Sequence, residues 1–145
     1  MAPSGTTKDH TAIDPISLLQ AEAYAVETYM FLVNRFPDDS CLEQCLQGHR
    51  ERFLALEQWL HRQGIKRVLA ADAGPFSNIP PEALAGSLDL AMARLRYCED
   101  CLMEDYRGLL HEADPVSGAQ LRQECLAGQR QTVQALTMRQ RHSLL

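Results

Sequence analysis

Four polar side chains interrupt the apolar stripes of four predicted helices, and they are the residues of this chain best suited to chemistry. They are Glu22, His49, Glu99 and Gln129. Glu22 and His49 stand at comparable distances from the turn at Pro37, and Glu99 and Gln129 stand in the same relation to a second turn. Because a helix rises by about 1.5 Å per residue, we expect all four to meet in one polar layer across a helical core.

Two carboxylates and an imidazole in an apolar core support two interpretations. In the first, His49 is an imidazolium between Glu22 and Glu99, and Gln129 donates a hydrogen bond to them. This pairing is expected because unpaired buried charges cost several kcal/mol. In the second, these three residues bind one divalent ion, Fe, Zn or Mn, for which one imidazole and two carboxylates are suitable ligands. Tyr29 or Tyr106 would then support the ligands through hydrogen bonds. The sequence leaves both interpretations open.

Five cysteines offer a further kind of site. Cys41 and Cys45 are four positions apart and Cys98 and Cys101 three apart, so each pair lies near one helix face. Thiolates at Cys98 and Cys101 could bind Zn or Cu(I) or act in redox chemistry. Helical spacing alone produces such pairs readily, and Cys45 and Cys125 are interpreted as small core residues. The odd number predicts that the thiols are reduced.

A repeated segment indicates how the helices are organised. Residues 44–50 and 124–130 share Cys, Leu, Gly and Arg in the same order, 80 positions apart. Glu22 and Tyr29 match Glu99 and Tyr106 at an offset of 77 positions. The chain is therefore predicted to contain two related helical hairpins.

Periodicity and end signals predict the helices themselves. Apolar residues recur at threes and fours, which indicates helices over about 15–36, 40–63, 81–113 and 116–142. Ser40 and Glu43 resemble a capping box, and Pro80 and Pro81 mark the start of the third helix. The prediction is an all-α, antiparallel four-helix bundle over residues 13–143, with a long crossover over residues 65–79. Residues 1–12 are predicted to be a disordered lead.

This arrangement resembles the ferritin-like four-helix-bundle superfamily. Its di-metal members take one Glu from each of two helices and a Glu-x-x-His motif from each of the others. Glu22 and Glu99 match the lone carboxylates, and His49 matches one motif histidine. Residues 97–100 are also similar to a run in a bacterial ferritin-like family of unknown function. The resemblance implies a bundle whose di-iron site is lost, because three ligand positions hold other residues: Leu46, Leu126 and Gln129.

Composition limits the classes of function. With 46% hydrophobic and 23% charged residues and a net charge of −5, the chain is predicted to bind neither nucleic acid nor membrane. We expect a cytoplasmic, non-catalytic protein that acts by association with other proteins and forms a homodimer. The alternative is a metal-binding protein or oxidoreductase with one ion at Glu22, His49 and Glu99.

Overall fold

The computed structural model describes residues 15–65, 74–79, 84, 86–112, 118–119 and 121–144. Within these ranges the chain is helical and contains no strand, which confirms the predicted all-α class. The four long helices are α1 (Pro15–Arg35), α2 (Ser40–Arg62), α3 (Leu88–Glu112) and α4 (Ala127–Leu144). The predicted N-terminal lead lies outside the described residues.

The first two helices agree with the sequence prediction to within one residue at each end. The residue that caps the N-terminus of α2 differs from the predicted one. Asp39, not Ser40, is the N-cap of α2, and its side chain accepts a hydrogen bond from the Leu42 backbone N–H at 3.1 Å. Ser40 is the first helical residue. The predicted capping box is wrong because the carboxylate one position earlier already satisfies a free N–H group.

Helix α3 begins at Leu88, within the range of 81–113 over which the sequence predicted a helix. The backbone at Gly86 and Ser87 is not helical, and the Ser87 hydroxyl accepts hydrogen bonds from the N–H groups of Asp89 (3.1 Å) and Leu90 (3.4 Å). A serine cap therefore sets the start of α3 at Leu88. Residues 80–83, where the sequence predicted this start, are not among those described.

The fourth helix contains a π-helical turn that the periodicity did not predict. Residues Arg122–Leu126 are π-helical and lead directly into α4, and the Ala127 N–H bonds to the Arg122 carbonyl. Such turns arise when one extra residue is accommodated inside a helix, and they shift which side chains face the core.

Each helix packs on two others. α1 packs against α2 and α3, and α4 packs against α2 and α3. Leu, Ala, Met and Tyr side chains from all four fill the core. Among the helices described, none combines the length and apolarity that crossing a bilayer requires.

The connection between α2 and α3 contains a short 3-10 helix, Pro75–Asn78, which packs on α1 and α3. Gly74 precedes it with φ of 86°, and a Cβ at Gly74 would lie 2.6 Å from Ala21 Cβ on α1. Glycine is therefore required there for both its backbone angle and its small size. The rest of the predicted crossover, residues 66–73, is outside the described part of the chain.

Candidate functional site

The polar layer predicted from the sequence lies in the centre of the bundle. Glu22 from α1, His49 from α2, Glu99 from α3 and Gln129 from α4 are each fully buried. The apolar residues around them hold these four polar positions towards the common core. The structure therefore brings together all four polar residues that the helical stripes predicted.

His49 joins the two carboxylates. Its Nδ1 lies 2.5 Å from Glu22 Oε1, and its Nε2 lies 2.6 Å from Glu99 Oε2. Carboxylate oxygens only accept hydrogen bonds, so a ring that bonds to both through its two nitrogens carries a proton on each. The geometry is that of an imidazolium between two carboxylates, as the first interpretation of the sequence expected.

Glu22 receives hydrogen bonds from three side chains on two helices. In addition to His49 on α2, Arg52 Nε on the same helix donates to Glu22 Oε2 at 3.1 Å. The Tyr106 hydroxyl on α3 donates to the same oxygen. Both oxygens of the buried carboxylate are thus satisfied, which removes most of the cost of burying it.

Glu99 has a matching set of donors. The Tyr29 hydroxyl on α1 donates to Glu99 Oε2 at 2.6 Å. Gln129 Nε2 on α4 donates to Glu99 Oε1 at 2.7 Å and to the Glu99 backbone carbonyl at 3.0 Å. The Gln129 Oε1 atom is the one buried side-chain N or O atom in the described ranges that lacks a hydrogen-bond partner. Each tyrosine therefore bonds to the glutamate of the other predicted hairpin.

Arg52 is the member of the layer that the sequence analysis missed. Its side chain is only 2% exposed, and its Nη2 donates to Thr132 Oγ1 on α4 at 3.0 Å. A Cβ added at Gly48 or at Gly128 would lie 3.1 Å from Arg52 Nη1. The two glycines of the repeated segment therefore leave the space that the guanidinium fills.

The charges of the layer sum to zero, with Glu22 and Glu99 against His49 and Arg52. Burial alone would lower the pKa of His49, but the charges of Glu99 and Glu22 outweigh it and raise that pKa to about 9. Burial would likewise raise the pKa of Glu22, and Arg52 and His49 outweigh it and lower that pKa. Histidine is consequently charged, and Glu22 ionised, at neutral pH.

The two tyrosines hold their protons firmly. Burial, followed by the charge of Glu99, raises the pKa of Tyr29 well above its ordinary value. Burial and the charge of Glu22 have the same effect on the pKa of Tyr106. Both hydroxyls therefore act as neutral hydrogen-bond donors to the carboxylates.

Aromatic rings cover one side of the layer. The Tyr29 and His49 rings stack with centroids 5.1 Å apart, and Phe76 of the 3-10 helix lies edge-on to His49 at 5.5 Å. Phe76 is 2% exposed. The connection between α2 and α3 thus helps to exclude water from the imidazolium, a role that the sequence pattern did not indicate.

No family model, curated protein or solved structure matches this chain.

The layer does not fit a single metal ion as it is arranged here. Glu22 and Glu99 bind opposite nitrogens of the His49 ring, so no one ring nitrogen faces both carboxylates. A metal ligand must also give up its proton, and both nitrogens are engaged as donors. Among the described residues, no group of three or more His, Cys, Asp or Glu side chains has an arrangement that could hold a metal.

The predicted thiolate pair is divided between core and surface. Cys98 is buried, and its Sγ donates to the Pro75 carbonyl at 3.6 Å, whereas Cys101 is half-buried. Burial and the charge of Glu99 raise the pKa of Cys98 to about 12. A thiol held in that state is a poor metal ligand or nucleophile. Cys45 and Cys125 are buried, as predicted for small core residues.

Proposed function

We propose that this protein is a ferritin-like helical bundle that has lost its di-iron site and acts without catalysis, through association with protein. The double contact of the His49 imidazolium with Glu22 and Glu99 carries the proposal. In a di-metal bundle, metal cations neutralise the buried carboxylates. In this chain His49 and Arg52 supply the two positive charges, and the layer becomes a structural element.

The pattern of helix neighbours supports the ferritin-like topology. α2 and α3 are consecutive in the chain, yet each packs against α4 and neither packs extensively on the other in the described residues. Consecutive helices on opposite corners of a bundle require a long connection. Antiparallel hairpins α1–α2 and α3–α4, joined by that crossover, satisfy these neighbour relations.

Metal analysis tests the loss of the di-iron site. Protein purified without chelator is expected to contain far less than one Fe, Zn or Mn per chain by mass spectrometry of the metals. His49→Ala should leave that low content unchanged. Stoichiometric metal that disappears in His49→Ala would contradict the proposal and support the metal-binding alternative.

That alternative is a metal-binding protein or oxidoreductase with one ion at Glu22, His49 and Glu99. The observation in its favour is that His49 contacts both Glu22 and Glu99 in the core. Binding an ion there would require His49 to lose a proton and one carboxylate to rotate. Loss of metal from Cys98→Ser or Cys101→Ser instead would indicate the thiolate site.

The outward face of α3 is the best candidate for association between two copies. Leu90 and Tyr97 are 71% and 65% exposed and lie two helical turns apart on that face. The charged residues beside them carry both signs, Arg94 and Asp100 among them. A face of this kind can pair with itself about a twofold axis, so that the acid of one copy meets the arginine of the other.

Light scattering coupled to size-exclusion chromatography tests the homodimer. The chain is expected to elute with twice its mass of 16.3 kDa, and Leu90→Ser with Tyr97→Ser is expected to shift it to the monomer. Leu54→Ser is the matched control, since Leu54 is 55% exposed on α2. A monomeric native chain, or a dimer that survives the double substitution, would contradict this surface.

A further inference from the structure

Arg52 has one nitrogen that the polar layer does not use. Its Nε donates to Glu22, and its Nη2 donates to Thr132 and lies close to His49. Within the described residues Nη1 makes no hydrogen bond, although the whole side chain is only 2% exposed. A terminal guanidinium nitrogen carries two N–H groups. Arg52 therefore has two strong donors for which the folded chain supplies no acceptor.

These two donors face a groove between α2 and α4. The groove has a volume of about 270 Å³, and Gly48, Arg52 and Gly128 are among the residues that line it. Nη1 lies 3.1 Å from the position that a Cβ would take at either glycine. In the described ranges the one fully enclosed side-chain N or O atom without a partner is Gln129 Oε1, so Nη1 is accessible from the groove. The two glycines thus leave a buried cation open to a ligand.

The rim of the groove is acidic. Five exposed polar side chains line it: Gln44, Gln47, Glu51, Glu124 and Gln131. The Gln47 amide donates to Glu51 Oε2 at 3.1 Å and so helps to orient that carboxylate. Glu124 belongs to the π-helical turn before α4, and such turns are frequent at functional sites. The groove therefore combines a positive group at its floor with two negative groups at its rim.

We propose that this groove binds a small zwitterion of the chemical class of free amino acids, with its carboxylate on Arg52 Nη1 and its ammonium group at Glu51. The polar layer is already neutral, so an anion without a cationic group would add an uncompensated negative charge beside Glu22 and the acidic rim. A cation without an anionic group would leave the Nη1 donors without an acceptor. A zwitterion adds no net charge and matches the floor and the rim together.

The size and rigidity of the groove suit a ligand of this class. Its volume of about 270 Å³ is just below the range of about 300–1,000 Å³ found for drug-sized ligands. The hydrogen bonds of Nε and Nη2 already hold the guanidinium in place, so binding costs little ordering of Arg52. The site lies between α2 and α4, and the proposed dimer surface lies on α3, so binding does not depend on association of two copies.

Titration of the full chain, followed by the ¹H–¹⁵N NMR signals of the Arg52 guanidinium, tests the site. Glycine, β-alanine and 4-aminobutyrate carry their two charges at increasing separation. At least one of them is expected to shift these signals with a Kd of about 1 mM. Propionate and propylamine carry one charge each and should bind at least about tenfold more weakly. No shift with any of the three zwitterions, or equal affinity for a singly charged compound, would overturn the proposal.

Gly128→Ala tests the floor of the groove. The new methyl group would lie 3.1 Å from Nη1 and cover its donors, so we expect zwitterion binding to weaken at least about tenfold. Alanine is also the better helix former, and unchanged His49 ring signals would show that the polar layer is intact. Undiminished binding in this variant would contradict the proposed contact with Arg52.

Glu51→Gln tests the rim through an exposed side chain whose replacement leaves the core untouched. It is expected to weaken binding of the best zwitterion at least about threefold, without weakening propionate. Glu43→Gln is the matched control, because Glu43 is exposed on the same helix and does not line the groove. Equal affinities in the two variants would overturn the assignment of the ammonium group to Glu51.

Discussion

Arg52 determines whether the buried carboxylates form a neutral layer. Without it, Glu22, Glu99 and His49 would carry a net negative charge in the core, and Glu22 Oε2 would keep only the hydrogen bond from Tyr106. Its Nη2 lies 3.2 Å from His49 Nδ1. This approach of two cations is tolerated because both bind the same carboxylate.

Substitution of Arg52 is expected to be severely destabilising. Arg52→Met keeps much of the side-chain volume but leaves the Glu22 charge under-compensated, a change that typically costs about 3–5 kcal/mol. The free energy of unfolding in urea, monitored by circular dichroism, measures this cost.

Arg50→Met is the matched control, because Arg50 is exposed on the same helix and such changes stay within about 0.5 kcal/mol. Similar unfolding free energies for the two variants would show that Arg52 does not hold the layer together.

At the level of single residues, helical periodicity was sufficient to find Glu22, His49, Glu99 and Gln129. It could not find Arg52, because a long charged side chain at the edge of a stripe normally reaches water. The repeated glycines were the available signal. Gly48 lies four positions before Arg52, so one helical turn separates the small residue from the large one that fills its space.

At the level of elements, local sequence predicted the bounds of α1 and α2 to within one residue. It did not predict the Ser87 cap that sets the start of α3, or the π-helical turn before α4. The 3-10 helix is a similar case. Gly74 and Pro75 predict a break, but the contact of Phe76 with His49 is long-range and follows only from the packed bundle.

Two glycine substitutions test the backbone angle and the close packing of the connection. Gly64→Ala and Gly74→Ala both place alanine at positive φ, 72° and 86°, and Gly74 also has ψ of −177°, a combination that is essentially confined to glycine. Only the second also places a Cβ 2.6 Å from Ala21.

We therefore expect Gly74→Ala to be the more destabilising of the two in thermal unfolding. Gly74→Ala should also weaken the protection of Tyr29 and His49 from hydrogen exchange, as measured by NMR. If the two variants have equal stability, the connection does not pack tightly on α1.

At the level of the whole molecule, residues of the two repeated segments exchange hydrogen bonds in the core. Tyr29 bonds to Glu99 and Tyr106 bonds to Glu22, so each predicted hairpin supplies a donor to the other. His49 and Gln129, which occupy equivalent repeat positions, both bind Glu99. The equivalence is incomplete, because histidine contacts both carboxylates and glutamine contacts one.

The stability of the whole bundle is expected to depend on pH through His49. The pKa of His49 is about 9 in the folded chain and 6.5 as the ordinary value, so its contribution is complete below about pH 6.5 and disappears as pH rises through 9. Urea unfolding should lose about 2 kcal/mol between about pH 6.5 and 8.5. The lowered pKa of Glu22 acts in the opposite direction, since that contribution is lost as pH falls below about 4.5.

His49→Gln provides the control for this prediction. It removes the titrating ring and leaves the cysteines and the chain ends unchanged. The variant should be less stable than the native chain at pH 6.5. Its free energy of unfolding should also fall much less as the pH rises above 6.5. An identical slope in both proteins would assign the pH dependence to other groups.

The protonation of the His49 ring is the most direct test of the proposed layer. A long-range ¹H–¹⁵N NMR spectrum of protein purified without chelator, recorded at pH 7.5, reports the state of each ring nitrogen separately. The structure predicts a proton on both Nδ1 and Nε2, as an imidazolium between Glu22 and Glu99 requires. A ring nitrogen without a proton, whether free or bound to metal, would contradict the account.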